Sequence, residues 1–556
     1  MQYIKTLVRL AIILTPVFSF AQTTFLTQDA KENILLERLE ITRQKDSVLN
    51  FSKVKPFSRK TLIPYLAGTI DPSTLSKTDQ YRFRSLLMDN IEWIGDRRSE
   101  FASRKSIGRF YRTPASMYEV HIKDFDLVVN PIIQFSLGKE KDYDQGLFQN
   151  TRGLTLRGKI ADKIGFAAYL TENQERDPLY VQGWEAKFKS VPGAGYYKDF
   201  KKDAYDYFDA RGYFTFGVTK YIDVAFGYDR NFIGNGQRSL FLSDFANNTL
   251  FLKLNTRIWK FNYQNLFMEL VAAEPRGPDR LLAKKYAVMH HLDFDISKSI
   301  NVGLFEGVIF GRKDHFEFGY LNPVIFYRSI EQQNGSFDNS VAGLDFKANA
   351  AKHFQFYGQL LLDEFKLSEI KAGNGWWANK WGYQLGAKYI DAFGVKNLDL
   401  QLELNRVRPF TYSHNDSVAN YTHYNQPLAH PLGANFSEVI AIARFQPVPK
   451  WMITGRLMGY KQGLDIGSQS FGSNIFLPNV PPYRIGDYGY EIGSGQTAKV
   501  FLATWLLSYE LRENMFVDLY ALTRNFKVAS NAALDNKTTL FSLGFRWNMH
   551  RRDFLF

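Results

Sequence analysis

From about Met117 to the end of the chain, apolar and polar residues alternate with a period of two. In 398–405, LDLQLELN, the leucines 398, 400, 402 and 404 fall on one face, and Asp399, Gln401, Glu403 and Asn405 on the other. WGYQLGAKY sets Trp381, Tyr383, Leu385 and Tyr389 against Gln384 and Lys388; FLATWLLSY aligns Phe501, Trp505, Leu507 and Tyr509; WMITGRLMGY sets Trp451, Ile453 and Leu457 against Thr454, Arg456 and Tyr460. Successive side chains of a strand point to opposite faces, so these segments are predicted strands.

A soluble sandwich would bury the apolar face against a second sheet. A membrane barrel would turn it to lipid and keep the polar face in its lumen. The connections separate the two. Short ones (161–162, 219–220, 296–298, 349–352, 391–396, 447–450, 512–513) alternate with long ones (171–209, 229–247, 311–339, 364–379, 409–435, 461–498, 525–537). Tight turns on one side and long loops on the other are the habit of outer-membrane barrels, and a sandwich has no reason to sort its loops. The expectation is an all-β fold: a transmembrane, outer-membrane, antiparallel barrel of about 18 strands. An even count places both termini in the periplasm. Two stretches leave the count open by two: SINVGLFEGVIFGR alternates poorly, and 117–123 is a further strand candidate. The final segment alternates from Phe541 to Met549, and Arg551 and Arg552 then break the pattern; Phe554 and Phe556 are expected at the periplasmic rim. An aromatic terminal strand also resembles the signal read by barrel-insertion machinery.

Before Met117 the pattern differs. The first 21 residues read as a signal peptide, with Lys5 and Arg9 as the positive region, a short apolar core from Leu10 to Phe18, and small residues at Ser19 and Ala21 for cleavage. Residues 22–109 read as a small periplasmic helical module. One amphipathic helix is predicted from about Asp29, with Ile34, Leu35, Leu39 and Ile41 among charges. A second follows Ser76 or Thr78 as cap, with Phe83, Leu86 and Leu87 at helical spacing; Pro56, Pro64 and Pro72 punctuate the stretch between. The barrel is assigned to 110–556.

Composition agrees with this organisation. Aromatics are 16% of the chain, as expected of belts at a membrane boundary. There is no cysteine, which excludes disulfides and thiolate metal sites. A formal charge of +13 favours acidic partners. For an exported barrel these would be surface or capsular polysaccharide and the phosphates of outer-membrane lipid and lipopolysaccharide, with no nucleic acid; the alternative is a mildly basic surface with no such partner.

The long loops carry unusual sequence. FGYDRNFIGNGQRSLFLSDFANN at 226–248 holds an Asn- and Gly-bearing turn followed by Arg-Ser-Leu-x-Leu-Ser-Asp; FGYLNPVIFYRSIEQQNGSFDNSVAGLDF at 318–346 holds Tyr-Leu-Asn-Pro; FQFYGQLLLDEF leads to Trp376, Trp377 and Trp381. Together these resemble the Wzi-type capsule assembly family, and within it the gliding-motility RemB-like group. The resemblance spans most of the chain. It implies a closed barrel of about 18 strands with a periplasmic helical bundle at its mouth, and a lectin-like activity that attaches or organises surface polysaccharide, serving capsule or exopolysaccharide assembly, adhesion or gliding motility. It supplies no catalytic residues.

Residue chemistry nominates the same loops. Asp229, Arg230, Asn231, Asn235, Gln237, Arg238 and Asp244 offer mixed donors and acceptors of the kind sugar hydroxyls need, and Arg suits sugar carboxylates or phosphates. Gly234 and Gly236 permit a sharp turn and close backbone approach. The competing reading is a loop folded inward whose polar groups bond one another and the charges of the wall. Tyr320, Asn322, Arg328 and Glu331 combine flat rings with polar arms; alternatively they form an aromatic belt with a lumenal salt bridge from Arg328 to Glu331 or Asp338. Trp376 and Trp377 either stack on sugar or anchor at the interface.

Enzyme signatures are weak. Asp363 and Glu364 are neighbours on a strand, so they point apart and cannot flank a glycosidic bond. His290-His291 fails as a metal pair for the same reason, and His414, His423 and His430 lack ligand spacing and read as surface loop residues. No nucleophile elbow or phosphate loop is present, and no cofactor is expected. Besides a polysaccharide binder, the sequence admits a porin or solute channel and a structural subunit of a secretion or gliding apparatus.

Overall fold

The period-two segments form the wall of a closed barrel in the computed structural model, which describes residues 23–103, 106, 108, 110–272, 282–312, 315–324 and 326–556. The signal-peptide segment lies outside the described residues. In chain order the wall strands are β1 (Phe125–Glu140), β2 (Gly146–Ile160), β3 (Ile164–Arg176), β4 (Tyr205–Gly217), β5 (Ile222–Asp229), β6 (Thr249–Ile258), β7 (Phe261–Val271), β8 (Lys284–Ser297) and β9 (Ile300–Phe310). They continue as β10 (Asn339–Ala350), β11 (Phe354–Glu364), β12 (Lys380–Tyr389), β13 (Leu398–Val407), β14 (Phe436–Val448), β15 (Trp451–Leu464), β16 (Gln496–Arg512), β17 (Met515–Val528) and β18 (Asn536–Trp547). Each pairs antiparallel with the next, and β18 closes on β1, Leu540 opposite Glu140 and Trp547 opposite Ile133. Among the described residues this is the 18-strand wall that the alternation predicts. The 117–123 candidate is a short strand, Tyr118–Ile122, paired with the base of β1 and bridged at Tyr118 to Phe110.

Outward positions are apolar and exposed, as lipid requires: Phe541 and Leu543 on β18, Phe501 and Trp505 on β16, Leu457 on β15 and Leu402 on β13. Inward positions pair with one another; Arg546 donates to Asp518 at 2.7 Å across β18 and β17.

At the short-turn end, three helices pack into the barrel: α1 (Glu32–Arg43), α2 (Arg59–Thr69) and α3 (Lys77–Asp89). Their own core is Leu35, Leu39, Leu62, Leu66, Phe83 and Leu86. Ser76 caps α3, accepting from the Asp79 amide at 3.0 Å. Pro64, read as punctuation, lies inside α2, where it forfeits one helical hydrogen bond. The module is tied to the wall by charge. Lys347 of β10 meets Glu40 at 2.6 Å, Lys53 meets Asp293 of β8 at 3.4 Å, and Arg38 bridges Asp79, at 3.0 Å, to Asp399 of β13. Burial works against the charge on Glu37, but Arg444 and Lys388 outweigh it and hold the carboxyl well below its usual range.

The last nine residues leave β18 at the short-turn end and run back up the inside of the barrel. Phe554 and Phe556, expected at the rim, are buried there against Tyr180, Trp184 and Phe245. Tyr180 donates to the Phe554 carbonyl at 2.6 Å and Arg524 to that of Phe556 at 3.0 Å. The two arginines that interrupt the alternation are the reason: Arg552 pairs with Glu175, and Arg551 with Asp553, which is also bound by Arg456 at 2.7 Å. Such partners exist only inside the wall.

Candidate functional site

The loop at 230–248 turns down into the lumen. Phe232–Ile233 pairs with Val54–Lys55 of the helical module, so elements entering from opposite ends of the barrel meet as a two-stranded ribbon. Gly234 (φ 152°) takes the backbone past Gln359, and at Gly236 a Cβ would lie 2.5 Å from the Glu403 carboxylate. Glu403, on β13, accepts from the amides of Gln237 and Arg238 at 2.7 and 3.1 Å. The close approach that the glycines allow is therefore made to the wall.

The side chains of Asp229, Arg230, Asn231, Asn235 and Arg238 are engaged by protein, and Gln237 is held through its amide. Arg238 bonds Glu438 at 3.2 Å and the carbonyl of Leu555 in the tail. Arg230 donates to Asn248 at 3.2 Å and to the Gly193 carbonyl. Asn231 accepts from Lys253 at 3.0 Å, Asn235 donates to Ser52 at 3.1 Å, and Asp229 lies 3.8 Å from Arg211. Asp229, Arg230 and Asp244 line a polar cavity of about 250 Å³ between the N-terminal segment, the wall and the tail. Loop 408–435 completes the filling: His423 accepts from the Val271 amide at 3.0 Å, and His430 meets Glu438 at 2.7 Å. Read as surface residues, His414, His423 and His430 are all buried. Burial pushes His423 down to about 3 and lowers His430, and both serve as neutral tethers. Among the described residues no group of three His, Cys, Asp or Glu side chains is arranged to hold a metal.

Tyr320, Asn322, Arg328 and Glu331 lie elsewhere. The Arg328–Glu331 pair forms, at 2.7 Å, but outside the barrel and not in its lumen, because the described residues of the loop at 311–338 fold over the outer face of the wall. Tyr320 stacks on Phe310 and donates to Asp338 at 2.7 Å, while Asn322 turns back on the Val324 amide. Asp363 and Glu364 both reach Lys380, at 3.3 and 3.1 Å, because the β11–β12 register shifts between Leu362 and Glu364; neighbours that should point apart share one cation.

Among the described residues, the long-loop end carries an open aromatic surface. Loop 365–379 pairs its backbone with loop 465–495: Trp377 donates to the Asp487 carbonyl, and Gly489 and Tyr490 to those of Asn374 and Gly375, all at 2.9 Å. Trp376 and Trp377 are half-buried, and Tyr488 is 56% exposed beside them. The Arg484 guanidinium, buried and paired with Asp487, lies behind the Trp377 ring at 4.2 Å, and the exposed Lys366 lies 5.6 Å from Trp376. Tyr483, Arg484 and Tyr488 were not nominated from sequence; the run PPYRIGDYGYEIG, aromatic and glycine-bearing within a long connection, is the signal that marks them.

A wall turned to lipid, a lumen filled from both ends and a rigid aromatic mouth define an occluded outer-membrane barrel. The family model of the capsule assembly protein Wzi matches residues 158–446, more than half of the chain. The protein belongs to that family. Among solved structures, Wzi of Escherichia coli, described as a carbohydrate-binding β-barrel involved in group 1 capsule assembly, aligns at 13% identity with TM-score 0.55 over 96% of this chain and 100% of its own. OprD of Pseudomonas aeruginosa aligns at 13% identity with TM-score 0.43, over 76% of this chain and 96% of its own. No curated protein sequence matches.

Proposed function

We propose that the protein binds surface or capsular polysaccharide at its long-loop end, facing the cell exterior, and so assists capsule or exopolysaccharide assembly. The observation that carries this reading is the mouth itself: Trp376, Trp377 and Tyr488 present rings on two loops locked together by backbone hydrogen bonds, with buried Arg484 bracing Trp377 from behind and exposed Lys366 beside Trp376. Rings held in place stack on the flat faces of sugars at little entropic cost, and the Lys366 ammonium suits acidic saccharides. The carbohydrate binding described for Escherichia coli Wzi agrees with it. A filled lumen favours a binder over a solute channel. The short-turn end, with the helical module and the point where the chain leaves β18, then faces the periplasm. Adhesion or gliding, as the RemB-like group implies, would use the same surface; comparing capsule retention with spreading in a deletion strain separates these roles.

Binding of the purified barrel to polysaccharide extracted from the parent cell surface tests the site. Trp376→Ala with Tyr488→Ala is expected to weaken it by roughly tenfold or more, since an aromatic contact contributes ~1 kcal/mol beyond its burial. Unchanged affinity in the double variant, or no affinity in the wild type, defeats the reading.

A further inference from the structure

Three neighbouring wall strands carry polar side chains where lipid should be. Facing outward on β7, β8 and β9 are Tyr263 and Asn265, His290, and Glu306, within a face otherwise built of Phe267, Val288, Val308 and Phe310. Their orientation follows from the alternation: His291, next to His290, points inward to Asp345 at 2.7 Å, and Phe305, next to Glu306, stacks inward on Phe241 at 4.4 Å. Carboxylate, imidazole and amide groups on the lipid face of a barrel are destabilising at bilayer depth.

The described residues of 311–338 cover them. The helix Tyr327–Asn334 lies against this outer face, with its first turn over Glu306; the Arg328 amide donates to that carboxylate at 3.3 Å. The Tyr327 ring sits 3.9 Å from His290. Ser340, outward on β10, donates to Glu331 at 2.8 Å. The segment also reaches far down the wall: the Pro323 carbonyl accepts from Tyr263, only two positions from the short-turn end of β7. A connection that merely crowned the barrel would not descend to that level. While its inner side shelters the polar stripe, its outer side is apolar. Val324 is 84% exposed and Phe337 83%, with Phe318 and Phe326 close behind, all on the same side of the barrel as the lipid-facing Leu304 and Leu344.

From this we infer that the described residues of 311–338 form a membrane-lying flap: its inner face covers the polar stripe on β7–β9 and hydrogen-bonds Tyr263 and Glu306, and its outer face, Phe318, Val324, Phe326 and Phe337, is seated in the acyl chains of the surrounding lipid. The occupant is lipid because the segment lies on the outward face of β9 and β10, strands that carry the exposed Leu304 and Leu344, and reaches down the wall to Tyr263. The flap also accounts for the poor alternation of β9. Its upper half is covered on both faces, and strands buried on both sides read as continuous apolar runs.

The absence of cysteine makes single-site labelling direct. Nitroxides would be attached at Val324→Cys, Phe326→Cys and Phe337→Cys in the full-length mature barrel reconstituted in lipid vesicles. Leu304→Cys serves as the lipid reference and Ser530→Cys, on the exposed connection before β18, as the water reference. Retained heat-modifiable gel migration shows that each variant is folded, and having three flap positions keeps the test alive if one fails. Accessibility to oxygen is expected to exceed that to a water-soluble nickel chelate at all three, as at Leu304. A ratio like that of Ser530 would place the flap in water and overturn the inference. Shielding from both reagents would mean that protein, such as a second copy of the chain, covers the patch, and would overturn it equally.

Discussion

Glu185 is the least comfortable carboxyl outside the wall. It lies in α4 (Leu179–Phe188), in the loop that follows β3, fully buried beside Asp177 and Glu175, with Arg552 as the nearby cation. Burial, then repulsion from Asp177 and Glu175, pushes its pKa far above the carboxylate range, and Asp177 is raised with it. Below the ordinary Glu value of about 4.3 both folded and unfolded chains are protonated, so the site costs nothing there. As pH rises past that value the unfolded chain ionises while the folded one keeps its proton, so stability falls with rising pH. Glu185→Gln is expected to raise the midpoint of heat-modified gel migration by a few degrees at pH 8 and to leave it unchanged at pH 4. An equal shift at both would show that the carboxyl does not titrate as argued. At this scale sequence reasoning identified residue types and not partners. Arg238, Asn235 and Gln237 were recognisable as hydrogen-bonding groups, but Glu438, Ser52 and Glu403 lie 165 to 200 positions away along the chain.

Elements show the same division. The strands were legible because lipid and lumen impose opposite chemistry on alternate residues. The direction in which a loop folds has no such signature: loop 230–248 enters the lumen and loop 311–338 lies outside, although both mix aromatic, Asn and Arg residues. Glycine gave a partial clue. At Gly236 an added methyl would meet Glu403 Oε2 at 2.5 Å and the Arg238 carbonyl at 2.8 Å. Gly236→Ala is expected to cost roughly 1–3 kcal/mol of loop docking. Protease should then cut faster within 230–248 while the barrel stays heat-modifiable; an unchanged cleavage rate would show that the loop is not held through this contact.

For the whole molecule, closure depends on three inserted parts that brace one another: the helical module, the inward loops and the C-terminal tail. In planar bilayers the intact protein is expected to pass almost no steady current. Removing 551–556 deletes the partners of Arg456, Arg524 and Tyr180 and should produce frequent openings. Porin-like conductance in the intact protein would refute the filled lumen.

The sequence by itself determined the barrel, its strand order, its short and long connections and its helical start, because each is a local consequence of one-dimensional patterning against water, lipid and lumen. Only the tertiary structure decided what fills the lumen, which loop lies against the membrane face, and that Phe556 ends inside the barrel. Those outcomes depend on charges and rings distant in sequence finding one another within a closed wall, and no periodicity records such meetings.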